Sequence, residues 1–194
     1  SRVLVIGATG GIGAAVAREL AARGDQLVLA GRDRDRLDRL AADLHTRHEV
    51  DAHIQTLDVL DFDSHPAFVN RCIDHFGGVL DGVVLCHGWM TDQATGQRDA
   101  AAVRRTIDTN YTACVTLLEP IAAHLEQRRA GWIAAVSSVA GDRGRQSNYI
   151  YGSSKAAIST YLEGLRHRLH PSGVPVTDIR PGFVATPMTA GVLD

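Results

Sequence analysis

Tyr151 and Lys155 stand four residues apart, one turn of a helix, so on a helix both side chains lie on one face. A phenol titrates near ~10 in water and exchanges protons poorly at neutral pH unless a neighbouring cation favours its phenolate. Lys155 is such a cation. Ser138, thirteen residues before the tyrosine, adds a hydroxyl that can donate to the same substrate oxygen if the fold brings the two segments together. These side chains suit proton transfer at a carbonyl oxygen. The Tyr-x-x-x-Lys spacing alone recurs by chance on many helices, so the rest of the chain must supply the reason to read it as chemistry. Tyr149 lies in the same segment without a lysine four residues on.

The elements that would position these groups are legible in order. Arg2–Ile6 (RVLVI) is a β-branched run ending in Gly7-Ala8-Thr9-Gly10-Gly11-Ile12-Gly13, and residues 14–23 are helix formers. Strand, glycine turn and helix form a pyrophosphate-binding arrangement, in which the bare backbone and the positive helix end face the phosphates. The glycines fit both GxxxGxG (Gly7, Gly11, Gly13) and GxxGxxG (Gly7, Gly10, Gly13), so the turn leaves the subfamily open. A second strand at 26–30 ends in Gly31-Arg32. A carboxylate there would bond the adenosine ribose and repel a 2′-phosphate, whereas Arg32 offers a guanidinium; this favours NADP, with NAD possible. Otherwise Arg32 is a solvated charge ahead of the helix at 33–44, whose Leu37, Leu40 and Leu44 mark its buried stripe.

A third strand at 53–57 closes on Asp58-Val59, and a helix is expected over 65–76. Asp58 either accepts from an adenine amine or closes the turn. The fourth strand, 80–86, ends in His87-Gly88; Gly88 permits close approach of a ribose, and His87 reads as a cleft wall rather than a base. Residues 101–128 form one long helical pattern with Asn110 inside it, a poor helix-interior residue explained either by a backbone irregularity that holds a water or by a satisfied polar contact. The fifth strand, 132–136, delivers Ser137-Ser138; a helix over 153–170 stops at Pro171-Ser172-Gly173, and a sixth strand at 175–179 leads into RPGFVATPM. This alternation predicts a Rossmann-type α/β fold over Ser1–Asp194, a doubly wound parallel sheet in three layers, α/β/α, as one domain. Every residue singled out falls at a strand's carboxyl end or just after it, where such sheets bind ligands.

Composition narrows the function classes. At 194 residues, 45% hydrophobic and 22% charged, the chain is that of an ordinary globular domain. A net charge of -2 without a basic face argues against a nucleic-acid partner. The apolar runs are too short for a membrane span, and a cytoplasmic location is expected. Cys72, Cys86 and Cys114 make no CxxC, and the nine histidines show no ligand spacing, so neither a disulfide framework nor a metal site is expected.

In order and spacing, Gly7, Gly11, Gly13, Asp58, Asn110, Ser138, Tyr151, Lys155 and the Pro181-Gly182 turn with Thr186 resemble the short-chain dehydrogenase/reductase family over essentially the whole chain. The thirteen-residue gap from Ser138 to Tyr151 and the RPGFVATPM segment are similar to its single-domain reductase branch, not to the extended sugar-nucleotide epimerases. SHPAF, NYTA and SSVAGDRGRQSNYIYGSSKAA further resemble a subgroup that includes a decaprenylphosphoryl-ribose 2-keto reductase.

The resemblance implies an NADP-dependent oxidoreductase that interconverts a ketone and a secondary alcohol. Tyr151 would give the proton, Lys155 would lower the tyrosine pKa and hold the nicotinamide ribose, Ser138 would polarise the carbonyl, and Asn110 would hold a water. Implied cofactor contacts come from Gly7, Thr9, Gly11, Ile12 and Gly13 of the turn and from Arg32, Asp58, Val59 and Gly88 at strand ends. Tyr151 and Lys155 contribute again, as do Pro181, Gly182, Val184 and Thr186. A homodimer or homotetramer built on the helices at 101–128 and 153–170 is also implied. Two further readings follow: a lipid-linked sugar 2-keto reductase working with an epimerase partner, in which Arg143 and Arg145 face a substrate phosphate, or a non-catalytic NADP-binding regulator. Ile6 stands where the family has threonine, and Leu85-Cys86-His87-Gly88 where it has NNAG. The chain stops at Asp194, ahead of the family's lid, last helix and last strand, so the domain is expected to be C-terminally incomplete.

Overall fold

A computed structural model describes residues 1–186. Its strands are β1 (Arg2–Ile6), β2 (Gln26–Gly31), β3 (His53–Thr56), β4 (Gly82–Leu85), β5 (Trp132–Val136) and β6 (Val176–Ile179), between which run α1 (Gly11–Ala22), α2 (Arg34–His48), α3 (His65–His75), α4 (Gln93–Gly96), α5 (Ala100–Ile107), α6 (Ala113–Arg128) and α7 (Tyr149–Leu169). All strands pair in parallel, in the order β3-β2-β1-β4-β5-β6. The chain therefore winds outward from β1 to β3 and restarts on the other side of β1, which puts the switch in strand order between β1 and β4. Helix-capped loops diverge at such a switch and leave a crevice beyond the strand ends.

Alternation along β1 assigns its residues to two cores. Leu4 and Ile6 pack with Phe68 of α3, Leu117 and Ile121 of α6 and Leu162 of α7. Val3 and Val5 pack with Ala17 and Leu20 of α1 and Leu37 and Leu44 of α2. A sheet covered on both faces needs apolar side chains at every position, which is why β1 and β4 read as unbroken hydrophobic runs. Among the described residues no helix is long and apolar enough to cross a membrane.

The expected three-layer fold is present; α2 runs on to His48 instead of stopping at 44, and the helix boundaries differ in three further places. Helix α1 begins inside the glycine turn, because the Ala14 N–H already donates to the Gly10 carbonyl at 2.8 Å. The long helix expected over 101–128 is interrupted by a π-helical turn at Asp108–Thr112. Helix α7 starts at Tyr149 rather than at 153. Its first turn borrows partners from α4, a helix the sequence reading did not anticipate: the Ile150 N–H donates to Gln93 Oε1 at 3.2 Å, and Gln97 Nε2 donates to the Tyr149 hydroxyl at 3.0 Å. Such caps come from a distant part of the chain and leave no local signal.

Candidate active site

The glycine turn is built for close approach. Gly7 has φ +82, and a Cβ there would lie 2.4 Å from the His87 nitrogen, so a side chain at this position would drive β1 and β4 apart. Above the turn lies a cleft of ≈ 300 Å³ at the switch point. Gly7, Thr9, Gly11 and Ile12 line it from the turn, and Arg32, Asp58, Val59 and Gly88 from the neighbouring strand ends. Gly13 sits beneath the turn, where a Cβ would meet the Gly7 carbonyl oxygen. Asp58 serves the turn as well as the cleft, since its Oδ1 accepts the Leu60 N–H at 3.0 Å. Pro181, Val184 and Thr186 line an adjoining apolar recess beside α1, with Thr186 also on the main cleft, while Gly182 lines neither. Pro187 and Met188 of the RPGFVATPM segment lie outside the described residues.

The hydroxyl and phenol converge at the end of β5. Ser138 Oγ accepts the Ala140 N–H at 3.1 Å and lies close enough to the Tyr151 phenol to act on its pKa. Two bare backbones make this possible: a Cβ on Gly152 would stand 2.5 Å from the Ala140 carbonyl oxygen, and one on Gly141 would stand 2.7 Å from the Ala156 nitrogen. The loop after β5 thus rests directly on α7. Lys155, 3% exposed, donates from Nζ to the Val136 carbonyl at 3.0 Å. Asn110, fully buried in the π-helical turn, accepts the Trp89 N–H at 2.8 Å and donates to the Trp89 carbonyl at 2.7 Å and to Ser154 Oγ at 2.9 Å. Both accounts of this asparagine therefore hold in part, an irregular helix and a satisfied polar group.

The electrostatics depart from the sequence reading. Burial pushes the Tyr151 phenol above its ordinary pKa, and the nearby Ser138 hydroxyl only opposes this. Lys155 does not outweigh that burial. Its ammonium faces the Val136 carbonyl and stands 5.8 Å from the centre of the tyrosine ring. Burial lowers the lysine's own pKa, against the pull of Cys114, Asp178 and Cys86. Desolvation thus favours the neutral form of both groups.

The family profile described as short chain dehydrogenase matches residues 1–194. The chain belongs to the short-chain dehydrogenase family. An uncharacterized oxidoreductase of Mycobacterium tuberculosis is 38% identical over 191 residues, which is 98% of this chain and 76% of the relative. Actinorhodin polyketide ketoreductase, solved as a variant with NADPH, superposes with a TM-score of 0.92 at 27% identity, covering 99% of this chain and 74% of that one. A short-chain dehydrogenase from Sphingobium yanoikuyae in complex with NADPH gives 0.89 at 30% identity, covering 98% and 73%.

This short-chain dehydrogenase manages without the family's NNAG. The Cys86 N–H donates to the Ile6 carbonyl at 2.7 Å, which continues the β1–β4 ladder, and Asn110 holds both backbone groups of Trp89 just beyond. The half-buried His87 ring lines the cleft with Cys114 Sγ at 3.4 Å from its Nε2, and desolvation brings its pKa down to about 3, so it suits a wall more than a base. Burial likewise pushes the Cys72 and Cys86 thiols up to about 12 and Cys114 up to about 11, which makes them inert. Among the described residues no group of three or more His, Cys, Asp or Glu could hold a metal ion.

Two cleft arginines escaped the sequence reading. Arg36 donates from Nη2 to the Thr9 carbonyl at 2.7 Å and lines the cleft beside Arg32. Its place one helical turn beyond Arg32 was the available signal. Arg105 also lines the cleft, stacked on Trp89, for which sequence offers no local cue.

Two stability measurements follow. Gly152→Ala should cost roughly 1–3 kcal/mol by overpacking against the Ala140 carbonyl, seen as a lower urea midpoint; an unchanged midpoint would mean the loop yields freely. His87 titrates near ~6.5 when unfolded and about 3 when folded, so the unfolded state binds the proton first. Its contribution is complete above ~6.5 and lost as pH falls toward 3, by up to about 1.4 kcal/mol per pH unit. The unfolding free energy of His87→Ala should depend less steeply on pH between about 6 and about 4 than the parent's, and parallel slopes would count against this burial.

Proposed function

We propose that this chain is an NADP(H)-dependent oxidoreductase interconverting a ketone and a secondary alcohol, with Tyr151, Ser138, Lys155 and Asn110 as its working group. The observation that carries this reading is the placement of Ser138, at the end of β5, beside Tyr151 at the start of α7, with buried Lys155 one helical turn from the tyrosine. Fit to a dinucleotide is supported by the bare backbone of Gly7 and by guanidinium groups, not a carboxylate, at the end of β2. Arg32 and Arg36 there suit a 2′-phosphate. The two solved relatives described above, both carrying NADPH, support the same choice, and NAD remains the second cofactor to test.

In this reading the glycine turn and the N-terminus of α1 would hold the diphosphate, Asp58 and Val59 would flank the adenine, Gly88 would admit the ribose, and Val184 and Thr186 would meet the nicotinamide carboxamide. When bound, the nicotinamide supplies or accepts the hydride. Tyr151 gives its proton to the carbonyl oxygen as hydride reaches the carbon, so the ketone gains both and leaves as the alcohol. The raised phenol pKa keeps that proton in place at neutral pH, and Ser138 donates to the same oxygen. The Lys155 ammonium lies near enough to reduce the cost of the transient phenolate and to hold a ribose hydroxyl. Asn110 fixes the start of α7 through Ser154, whose hydroxyl donates to the Tyr151 carbonyl at 2.6 Å.

Substrates on a lipid-linked sugar are the second reading, favoured by Arg143 and Arg145, both exposed in the loop between Ser138 and Tyr151. A homodimer would place α6 and α7 against their copies, and free buried cysteines suit a reducing cytoplasmic setting.

Tyr151→Phe should lower turnover by roughly 10²–10⁴-fold while coenzyme affinity stays within about twofold. Comparable turnover in the variant would overturn the assignment. With a phenol held above its ordinary pKa, ketone reduction should persist through neutral pH and fall only in alkali, while alcohol oxidation should rise with pH; a reduction limb that falls below neutral pH would contradict this. Arg143→Ala should raise KM for a phosphorylated ketose but not for a small neutral ketone, and equal effects on the two would remove the lipid-linked reading.

A further inference from the structure

The nucleotide cleft carries a third guanidinium on the side away from Arg32 and Arg36. Arg105, in α5, lies with its guanidinium carbon 3.8 Å from the centre of the Trp89 ring. Both residues line the cleft, as does Thr109, four residues after Arg105. Stacking uses the face of a guanidinium and leaves its in-plane N–H donors free for an anion. Among the described residues no carboxylate pairs with Arg105, whereas Arg2, Arg18, Arg168 and Arg180 are all so engaged. The platform is itself fixed: the Asn110 amide binds both the N–H and the carbonyl of Trp89. A long side chain at the cleft edge is thus anchored over a fixed ring, with no carboxylate partner among the described residues.

Strand order says which part of a nucleotide it would meet. Arg32 and Arg36 follow β2, Trp89 follows β4, and β1 with its glycine turn runs between them. The β2 end is where an adenosine ribose and its 2′-substituent are read, and the turn after β1 is where a diphosphate sits. The contact between the two sides is direct, since the His87 nitrogen is what a Gly7 side chain would strike. We infer that Arg105, stacked on Trp89, is a coenzyme-binding residue that donates to the diphosphate bridge from the β4 side of the cleft. It therefore strengthens binding of the phosphorylated and unphosphorylated dinucleotides alike, while Arg32 and Arg36 choose between them. This rests on the dinucleotide reading given under Proposed function.

The test is calorimetric titration of the folded chain and its variants with NADPH and with NADH. Arg105→Ala should weaken both by a similar factor, about tenfold for loss of one charge-assisted hydrogen bond, and should flatten the salt dependence of NADH binding. Arg105→Lys should restore part of the affinity through its charge. Arg32→Ala should weaken NADPH alone. A folded Arg105→Ala, or Arg105→Gln if alanine prevents folding, that binds both dinucleotides like the parent overturns the inference. Loss confined to NADPH overturns it too, because Arg105 would then belong to the 2′-phosphate. A parent chain that binds neither dinucleotide removes the underlying reading as well, which separates the two failures.

Discussion

The Asn110 side chain is the joint on which the site depends. A buried primary amide costs free energy unless its donors and acceptor are met, and here all three of its hydrogen bonds cross between elements. Two fasten the backbone of Trp89, just past β4; the third reaches Ser154 on α7, whose hydroxyl continues to the Tyr151 carbonyl. The end of the central sheet, the break in the long helix and the helix carrying Tyr151 and Lys155 are thereby held in one frame. The π-helical turn gives the asparagine its place, because one looser turn departs from the regular ladder locally without ending the helix.

Backbone contact supplies what hydrogen bonds alone could not. Side chains at Gly141 and Gly152 would hold the loop after β5 away from α7, and Ser138 would lose its reach to the phenol. The same economy of volume operates at Gly7, where β4 comes up against the first turn. These approaches have an electrostatic consequence. They shield Lys155 from water and leave Tyr151 half-buried, and desolvation pushes the two pKa values in opposite directions, the phenol upward and the ammonium downward. A proton donor that retains its proton beside a cation on a backbone carbonyl is a poised arrangement, and it results from burial more than from direct pairing.

The surrounding charge is arranged by strand. Among the described residues, Asp58 is the single carboxylate that lines the cleft, and arginines line it on both sides of β1. Asp58 spends one oxygen on its own turn, and Arg36 braces the Thr9 carbonyl of the glycine turn, so the anion-facing surface is tied to the fold that creates it. Such coupling makes cleft and scaffold hard to alter separately.

Much of this was legible in the residues. An unbroken apolar run along β1, glycines after it, leucines at helical spacing in α2 and a tyrosine one turn before a lysine are local patterns, and local patterns are what a linear chain displays. They determined the order of elements, the layered α/β fold and the positions of Ser138, Tyr151 and Lys155. The tertiary structure alone decided the rest: that α7 begins at Tyr149 because Gln93 caps it, that Arg105 shares a cleft with Arg32 although dozens of residues lie between them, and that Lys155 turns to Val136 while burial raises the tyrosine pKa. Each depends on desolvation or on a partner distant in sequence, and neither quantity exists until the strands have taken their order.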